Sequence, residues 1–333
     1  MHAQNRAQPE RSQIDDMRSS RLVRWFGWTM LFGLAGFMVH NALVVGFGWP
    51  DFGAQFSTGK PALTSLAILG VTPALALIWV GVSKDRALRH DAISIHRFNV
   101  YLIRALFLGV FFVGLADATI AFLRVEILLP VFFSDALAGS LGRARFVGMT
   151  VHLPLLALGF IAALLTRGVG FVWLALLIVV AELLIVISRF LFSYEQALMG
   201  DLVRYWYAAL FLFASAYTLF ENGHVRVDVF YAGFTDRRKG AVNAIGTILL
   251  GMTTCWTIVV IGFAHNRSII NSPVMNFEIS QTGSAGMFIK YQMAAFIGVF
   301  AITMLIQFVS FFFEAVADLR GEPGKRDTHP SGH

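Results

Sequence analysis

Eight runs of mostly apolar residues, each about as long as a bilayer core is thick, dominate this chain. They fall at 25–47, 62–82, 98–122, 146–166, 170–190, 202–221, 241–264 and 288–314. A helix needs about 20 such residues to cross the hydrocarbon. Inside lipid, each backbone N–H and C=O must be paired within the protein, which leaves helices or closed barrels. The pattern therefore predicts an all-α, polytopic helical membrane protein of about eight transmembrane helices. Composition agrees: 14% of the 333 residues are charged and 57% are hydrophobic, against about 25% charged in a soluble domain. The first run is too long for the apolar core of a signal peptide and reads as a retained span. With Cys255 as the single cysteine, neither an intrachain disulfide nor a cysteine-based metal site is available.

Charge sets the expected sidedness. With the N-terminus placed in the cytoplasm, the inner face receives Arg6, Arg11, Arg18, Arg21 and Arg24, then Lys84, Arg86, Arg89, Arg97 and Arg167. It also receives Arg226, Arg237, Arg238, Lys239, Arg320, Lys325 and Arg326. These are 17 of the 26 Lys and Arg residues, an excess that predicts both termini inside. The net charge of +6 is thus a topology signal rather than a nucleic-acid one. The outer connection 124–145 carries Arg124, Arg143 and Arg145 against this trend. It also holds apolar stretches at 128–133 and 136–141, which fit a helix lying on the outer surface. The chain divides near Arg167 into a tail (1–20), a four-helix membrane bundle (21–167), a second four-helix unit (168–318) and a tail (319–333). Thr166, Arg167 and Gly168 must make a tight hairpin between the fourth and fifth spans.

Polar groups within spans are costly, so each needs a partner or a purpose. Glu182 and Arg189 are seven residues apart, two helical turns, and share a face. Asp201 and Arg204 open the sixth span, where an acidic residue can cap free N–H groups or meet a neighbouring subunit. Arg104 and Asp117 lie in the third span about 20 Å apart and cannot pair directly. Glu314, near a helix end, is expected to reach the interface. Gly33, Gly36, Gly246 and Gly251 offer close helix approach. Between two spans, Glu221 to Tyr231 reads ENGHVRVDVFY. It alternates polar His224, Arg226 and Asp228 with valines, and a basic cluster of Arg237, Arg238 and Lys239 follows. Segment 222–236 therefore reads as interfacial, with the basic cluster at lipid headgroups.

The stretch AYTLFENGHVRVDVFYAGFTDRRKGAVNAIGT, Ala216 to Thr247, resembles the small integral membrane subunit of tripartite ATP-independent periplasmic (TRAP) transporters. The resemblance covers roughly Gly170 to Asp318, and the additional N-terminal spans make the chain similar to a long form of that family. Asp201 stands where the family usually has Glu. Glu278 and Ser280, followed by Lys290, resemble its Glu-x-Ser and Lys on the outer face, while Ala294 replaces the usual Pro and implies a straighter last helix. The resemblance implies a non-catalytic scaffold for a large permease subunit. A periplasmic substrate-binding protein delivers an organic acid or related solute, and uptake is driven by an ion gradient. No cofactor is expected, and the coupling ion, usually sodium, is expected to bind the large subunit. It further implies that Glu182, Arg189, Asp201, Arg204, His224, Arg226 and Asp228 face partner subunits, that Glu278, Ser280 and Lys290 shape the periplasmic face, and that the protein resides in a bacterial inner membrane.

Two other readings stay open at this level. His40 and His152 fall toward the outer ends of their spans, and two histidines at similar depth would suit a haem in a membrane electron carrier. The chain would alternatively be a structural anchor for another complex. No phosphate-binding loop, zinc motif or nucleophile elbow is present, so an enzyme is not expected.

Overall fold

A computed structural model describes residues 7–50, 63–168, 171–221 and 229–325. Its regular elements are all helical, with no strand among the described residues. In chain order they are α1 (Ala7–Phe47), α2 (Leu63–Val82), α3 (Leu88–Val125), α4 (Leu129–Phe132), α5 (Asp135–Leu141) and α6 (Ala144–Leu165). Then come α7 (Phe171–Phe192), α8 (Ala197–Phe220), α9 (Val229–Ala232), α10 (Asp236–Gly262), α11 (Asn271–Met275) and α12 (Lys290–Leu319). Among the described residues, seven helices are long and apolar enough to cross a membrane: α1 from Ser20, α3, α6, α7 from Val172, α8, α10 and α12. The remaining expected span, 62–82, is the 20-residue helix α2, which contains Pro73 and includes a shorter apolar stretch at Gly70–Val82. The protein is a multi-pass, all-α membrane protein.

Two of these helices contain a π-helical turn, at Gly148–His152 in α6 and Thr247–Met252 in α10. In α6 the cause is local. Pro154 has no N–H, and its ring collides with the carbonyl four residues earlier, so the preceding turn widens. The helix ends at Leu165, and Thr166 is extended. Arg104 caps this end, its Nη1 donating to the carbonyls of Ala163 (3.3 Å) and Thr166. A cation at a helix C-terminus meets both the free carbonyls and the negative end of the dipole. The outer connection forms three short pieces, α4, α5 and the start of α6, rather than one surface helix. α12 runs unbroken for 30 residues.

The chain forms two compact units. Unit 1 comprises residues 1–97, 220–257 and 304–333, and unit 2 comprises 98–219 and 258–303. The units do not divide at residue 167, because each takes helices from both sides of it.

Unit 1 is organised by buried ion pairs. Arg24 on α1 is fully buried. Its Nε donates to Asp91 Oδ2 at 2.7 Å, Nη1 to the Ser83 carbonyl at 2.7 Å and Nη2 to Ser83 Oγ at 2.6 Å. Trp28 Nε1 donates to the same Asp91 oxygen at 3.1 Å. One guanidinium thus ties α1 to the end of α2 and the start of α3. Arg89 reaches Glu314 at 2.9 Å and Asp318 at 2.8 Å on α12, and also donates to the carbonyls of Glu322 and Pro323. Glu314 therefore does not reach the interface as expected; it is buried against Arg89. Of the glycines singled out for close approach, Gly251 lies against the Phe308 ring and Gly33 at ordinary distance from Trp256, while Gly246 faces open space.

Unit 2 contains a backbone-to-backbone helix contact. A Cβ on Gly159 of α6 would lie 2.5 Å from the Gly109 nitrogen and 2.8 Å from the Ala105 carbonyl oxygen of α3. α8 joins through Phe213, whose ring meets Phe107 at 5.6 Å and Phe296 at 4.9 Å. Trp206 packs against Gly114.

Candidate functional site

Unit 2 gathers its polar residues around one segment, 276–291, which the charge pattern predicts to be outer. Near its start, Phe277 takes a left-handed φ of 48°. Its ring sits against Gly148 in the π-helical turn of α6 and edge-on to Tyr291 at 5.1 Å. A bulky residue holds such a conformation only where its surroundings enforce it. After a short 3₁₀ turn at Gly283–Ala285, the chain dives inward: Met287, Phe288 and Ile289 are all buried. Phe288 joins a core cluster with Leu129, Ala138, Leu141 and Val147.

Two carboxylates grip this descent. The Met287 amide donates to Asp201 Oδ2 at 3.0 Å and the Phe288 amide to Asp117 Oδ2 at 2.6 Å. Arg124 holds the opposite edge. Its Nε donates to the Ser284 carbonyl at 2.8 Å and Nη2 to the Gly286 carbonyl at 2.6 Å, and its guanidinium carbon lies 3.8 Å from the centre of the Phe288 ring. Hydrogen bonds to charged groups are the stronger kind, and the planar fork suits paired carbonyls. Gly286 is required by this fit, because a Cβ there would sit 2.5 Å from Asp201 Oδ2 and 2.9 Å from Ser280 Oγ. Gly286→Ala is expected to displace Asp201 and lower the thermal unfolding midpoint by several degrees, measured on detergent-solubilised protein. An unchanged midpoint would show that the segment adjusts without cost.

A relay extends from Asp117. Tyr205 Oη donates to Gln292 Oε1, and Gln292 Nε2 donates to Tyr291 Oη at 3.0 Å. Tyr291 Oη lies 2.8 Å from His152 Nδ1, and His152 Nε2 faces Asp117 Oδ1 at 3.3 Å. Tyr291 Oη accepts from Gln292, and its hydrogen bond with His152 Nδ1 runs in the direction that the imidazole tautomer sets. The 3.3 Å approach is electrostatic and poorly aligned, and leaves Asp117 Oδ1 and His152 Nε2 without a well-formed hydrogen bond. His152 is fully buried, with Nδ1 engaged by Tyr291. His40 is buried within unit 1.

The remaining candidates are distributed as follows. Asp201 is not an interfacial cap: α8 begins at Ala197, and the carboxylate is spent on Met287 and on Arg204 Nη2 at 3.3 Å. Arg204 itself is exposed. Arg189 does not turn toward Glu182; it pairs with Glu195 at 3.4 Å in solvent-exposed geometry. Glu182 is exposed near the middle of α7. Lys290 and Glu278 form an ion pair at 2.5 Å, both roughly half exposed, and Ser280 Oγ contacts Thr282 Oγ1. Such exposed pairs contribute about 0–1 kcal/mol. Arg237 and Arg238 are exposed at the start of α10, while Lys239 lies 5.5 Å from the Tyr231 ring centre. His224, Arg226 and Asp228 lie outside the described residues, as does the whole stretch 222–228 of the expected interfacial segment. At the outer end of unit 2, Tyr194 donates to Glu126 at 2.5 Å; burial first, then the neighbouring carboxylate, push its phenol up to about 12.

Sequence reasoning singled out Asp117 and His152 without their partners and treated Arg124 as a charge out of place. The usable signal was the cost of ionisable groups in spans. The backbone partners of Asp117 and Arg124, one amide and two carbonyls, carry no sequence signature.

The face presented outward by the matched helices is uneven. In α12, 67% of the apolar window is buried within the chain; in α7 only 6% is. A family model matches residues 175–318, that of the DctQ component of the tripartite ATP-independent periplasmic transporters. No curated protein and no solved structure matches the chain.

Proposed function

Because the chain belongs, through residues 175–318, to the DctQ family, the small permease component of TRAP transporters, we propose that it scaffolds a large permease subunit during ion-gradient-driven uptake. The solute is an organic acid or a related small molecule, delivered by a periplasmic substrate-binding protein. The coupling ion, sodium in this reading, binds the large subunit, and the present chain carries neither cofactor nor catalytic group. It resides in a bacterial inner membrane with both termini in the cytoplasm. The observation that carries the proposal is the family match over most of the second half of the chain. The buried relay supports it from the physical side. The intramembrane polar residues of unit 2 are spent on holding helices and one loop together, which suits a static part better than a solute path.

The docking face in this reading is α7, the least buried of the spans. Glu182 stands about 16 Å from either end of that helix, too deep for a carboxylate to reach water by bending. A carboxylate at that depth requires a donor or cation from a neighbouring subunit. Arg189 and Arg204, both exposed, are further candidates for partner contact, as are His224, Arg226 and Asp228 in this reading. Arg237, Arg238 and Lys239 meet lipid headgroups.

The test is purification of the tagged chain from mild-detergent membranes, with mass spectrometry and an absorbance scan of the same sample. A many-span permease in near-equal amount, without a Soret band, supports the transporter reading; a Soret band with redox partners and no permease overturns it. Glu182→Leu is expected to lower the co-purifying permease severalfold. The thermal stability of the isolated chain should not change, since Glu182 has no polar partner among the described residues. Full co-purification would remove Glu182 from the interface.

A further inference from the structure

The groups that grip the outer segment come from two regions of the chain. Asp201 lies inside the matched region 175–318, but Asp117, Arg124, Gly148 and His152 all precede it. The matched region therefore fixes its own outer segment only in part, through Asp201. Three of the four charge-assisted bonds on the backbone of 284–288 are made by α3: Arg124 to the carbonyls of Ser284 and Gly286, and Asp117 to the Phe288 amide. α6 supplies the glycine beneath Phe277 and the imidazole on Tyr291. The pocket around Phe288 is likewise built by Leu129, Ala138, Leu141 and Val147, all from the preceding region.

We propose that the helices preceding the matched region are the seat of the outer segment, with Asp117 and Arg124 as positioning residues that hold it in one backbone conformation for a soluble partner. Only that last step, the partner, rests on the transporter reading above. The physical logic is that backbone groups are held, not side chains. Amides of two successive residues are taken by carboxylates on different helices, α3 and α8, and two carbonyls are bridged by one planar guanidinium. Such a grip fixes the path of the chain whatever side chains it displays. Buried polar groups in this setting are costly to leave unpaired, so the grip is broken only with large local rearrangement. The segment so fixed displays Glu278, Ser280 and Lys290 at the outer face.

The test uses the full-length chain with Cys255→Ala and Met287→Cys. Met287 is fully buried in the seated segment, so the new thiol is expected to react slowly with a water-soluble maleimide. Arg124→Ala, Arg124→Lys and Asp117→Ala are each expected to speed labelling by about tenfold or more, through local opening. Lysine must fail like alanine, since it keeps the charge but loses the fork and the ring contact. Leu115→Ala, on an exposed face of α3, is the control and should leave labelling unchanged. Unchanged labelling in Arg124→Lys, a variant with little reason to misfold, overturns the seat. In reconstituted uptake with wild-type Met287, the same variants should raise the half-saturating concentration of the binding protein by about tenfold, with the maximal rate within about twofold. A fall in maximal rate alone overturns the positioning role toward the partner. If the unmodified chain recruits no permease, the transporter reading fails while the labelling experiment still decides the seat.

Discussion

Asp91→Ala is expected to be among the most damaging single substitutions in unit 1, lowering stability by about 3–5 kcal/mol. Arg24 and Asp91 are both fully removed from solvent and 2.7 Å apart. Removing the carboxylate leaves a guanidinium buried without its counter-charge, and the Trp28 indole loses its acceptor as well. The Ser83 carbonyl and hydroxyl remain as ligands for Arg24 but supply no negative charge. The protein carries its own reporter: Cys255, its single cysteine, is buried within unit 1. A thiol-reactive fluorophore that lights up on unfolding should show the midpoint falling by on the order of 10 °C. Replacing both members, Arg24→Leu with Asp91→Leu, should cost less than Asp91→Ala alone, because no uncompensated charge then remains. A single variant as stable as the parent would show that water or lipid headgroups reach the pair.

Gly159→Ala should be poorly tolerated, and Gly109→Ala much better tolerated, though the two glycines face each other across α3 and α6. The asymmetry follows from what a new methyl would strike. At Gly159 it would sit 2.5 Å, 2.7 Å and 2.8 Å from the Gly109 N, the Gly109 Cα and the Ala105 carbonyl oxygen. Backbone atoms in a helix cannot step aside singly, so the two helices must separate and surrender their packing. At Gly109 the nearest atom is Leu156 Cδ2 at 2.9 Å, the tip of a flexible side chain. Overpacking of this kind costs about 1–3 kcal/mol, and more where backbone must move. Gly159→Ala is expected to lose most of its monodisperse yield in gel filtration, with Gly109→Ala close to the parent. Equal behaviour of the two would mean that the helices are not held at this separation.

The expected spans and the observed helices agree in the middle and differ at the ends. The run at 98–122 lies inside α3, which starts at Leu88, and the run at 25–47 inside α1, which starts at Ala7. Hydropathy ends where charge begins, but the helices continue because Arg24, Arg89 and Asp91 are paired inside the protein. The same blindness sent Glu314 to the interface and cast Asp201 as a cap. Conversely, the ion pair of Glu278 with Lys290 was legible, since both lie on one short outer connection. The grip of Asp117 on Phe288 was not, because 171 residues separate the partners and one of them is a backbone amide.

The sequence by itself determined that this chain is a helical membrane protein and that its residues 175–318 match the model of a transporter component family. Both are properties of local composition and order: about 20 apolar residues suffice for a span, and a motif survives as a string. Only the tertiary structure decided which glycines carry backbone contact, which intramembrane charges neutralise one another, and that α3 and α6 hold the outer segment. Those outcomes depend on distances between residues far apart in the chain. In a low-dielectric interior they are set by the requirement that each buried polar group find a partner.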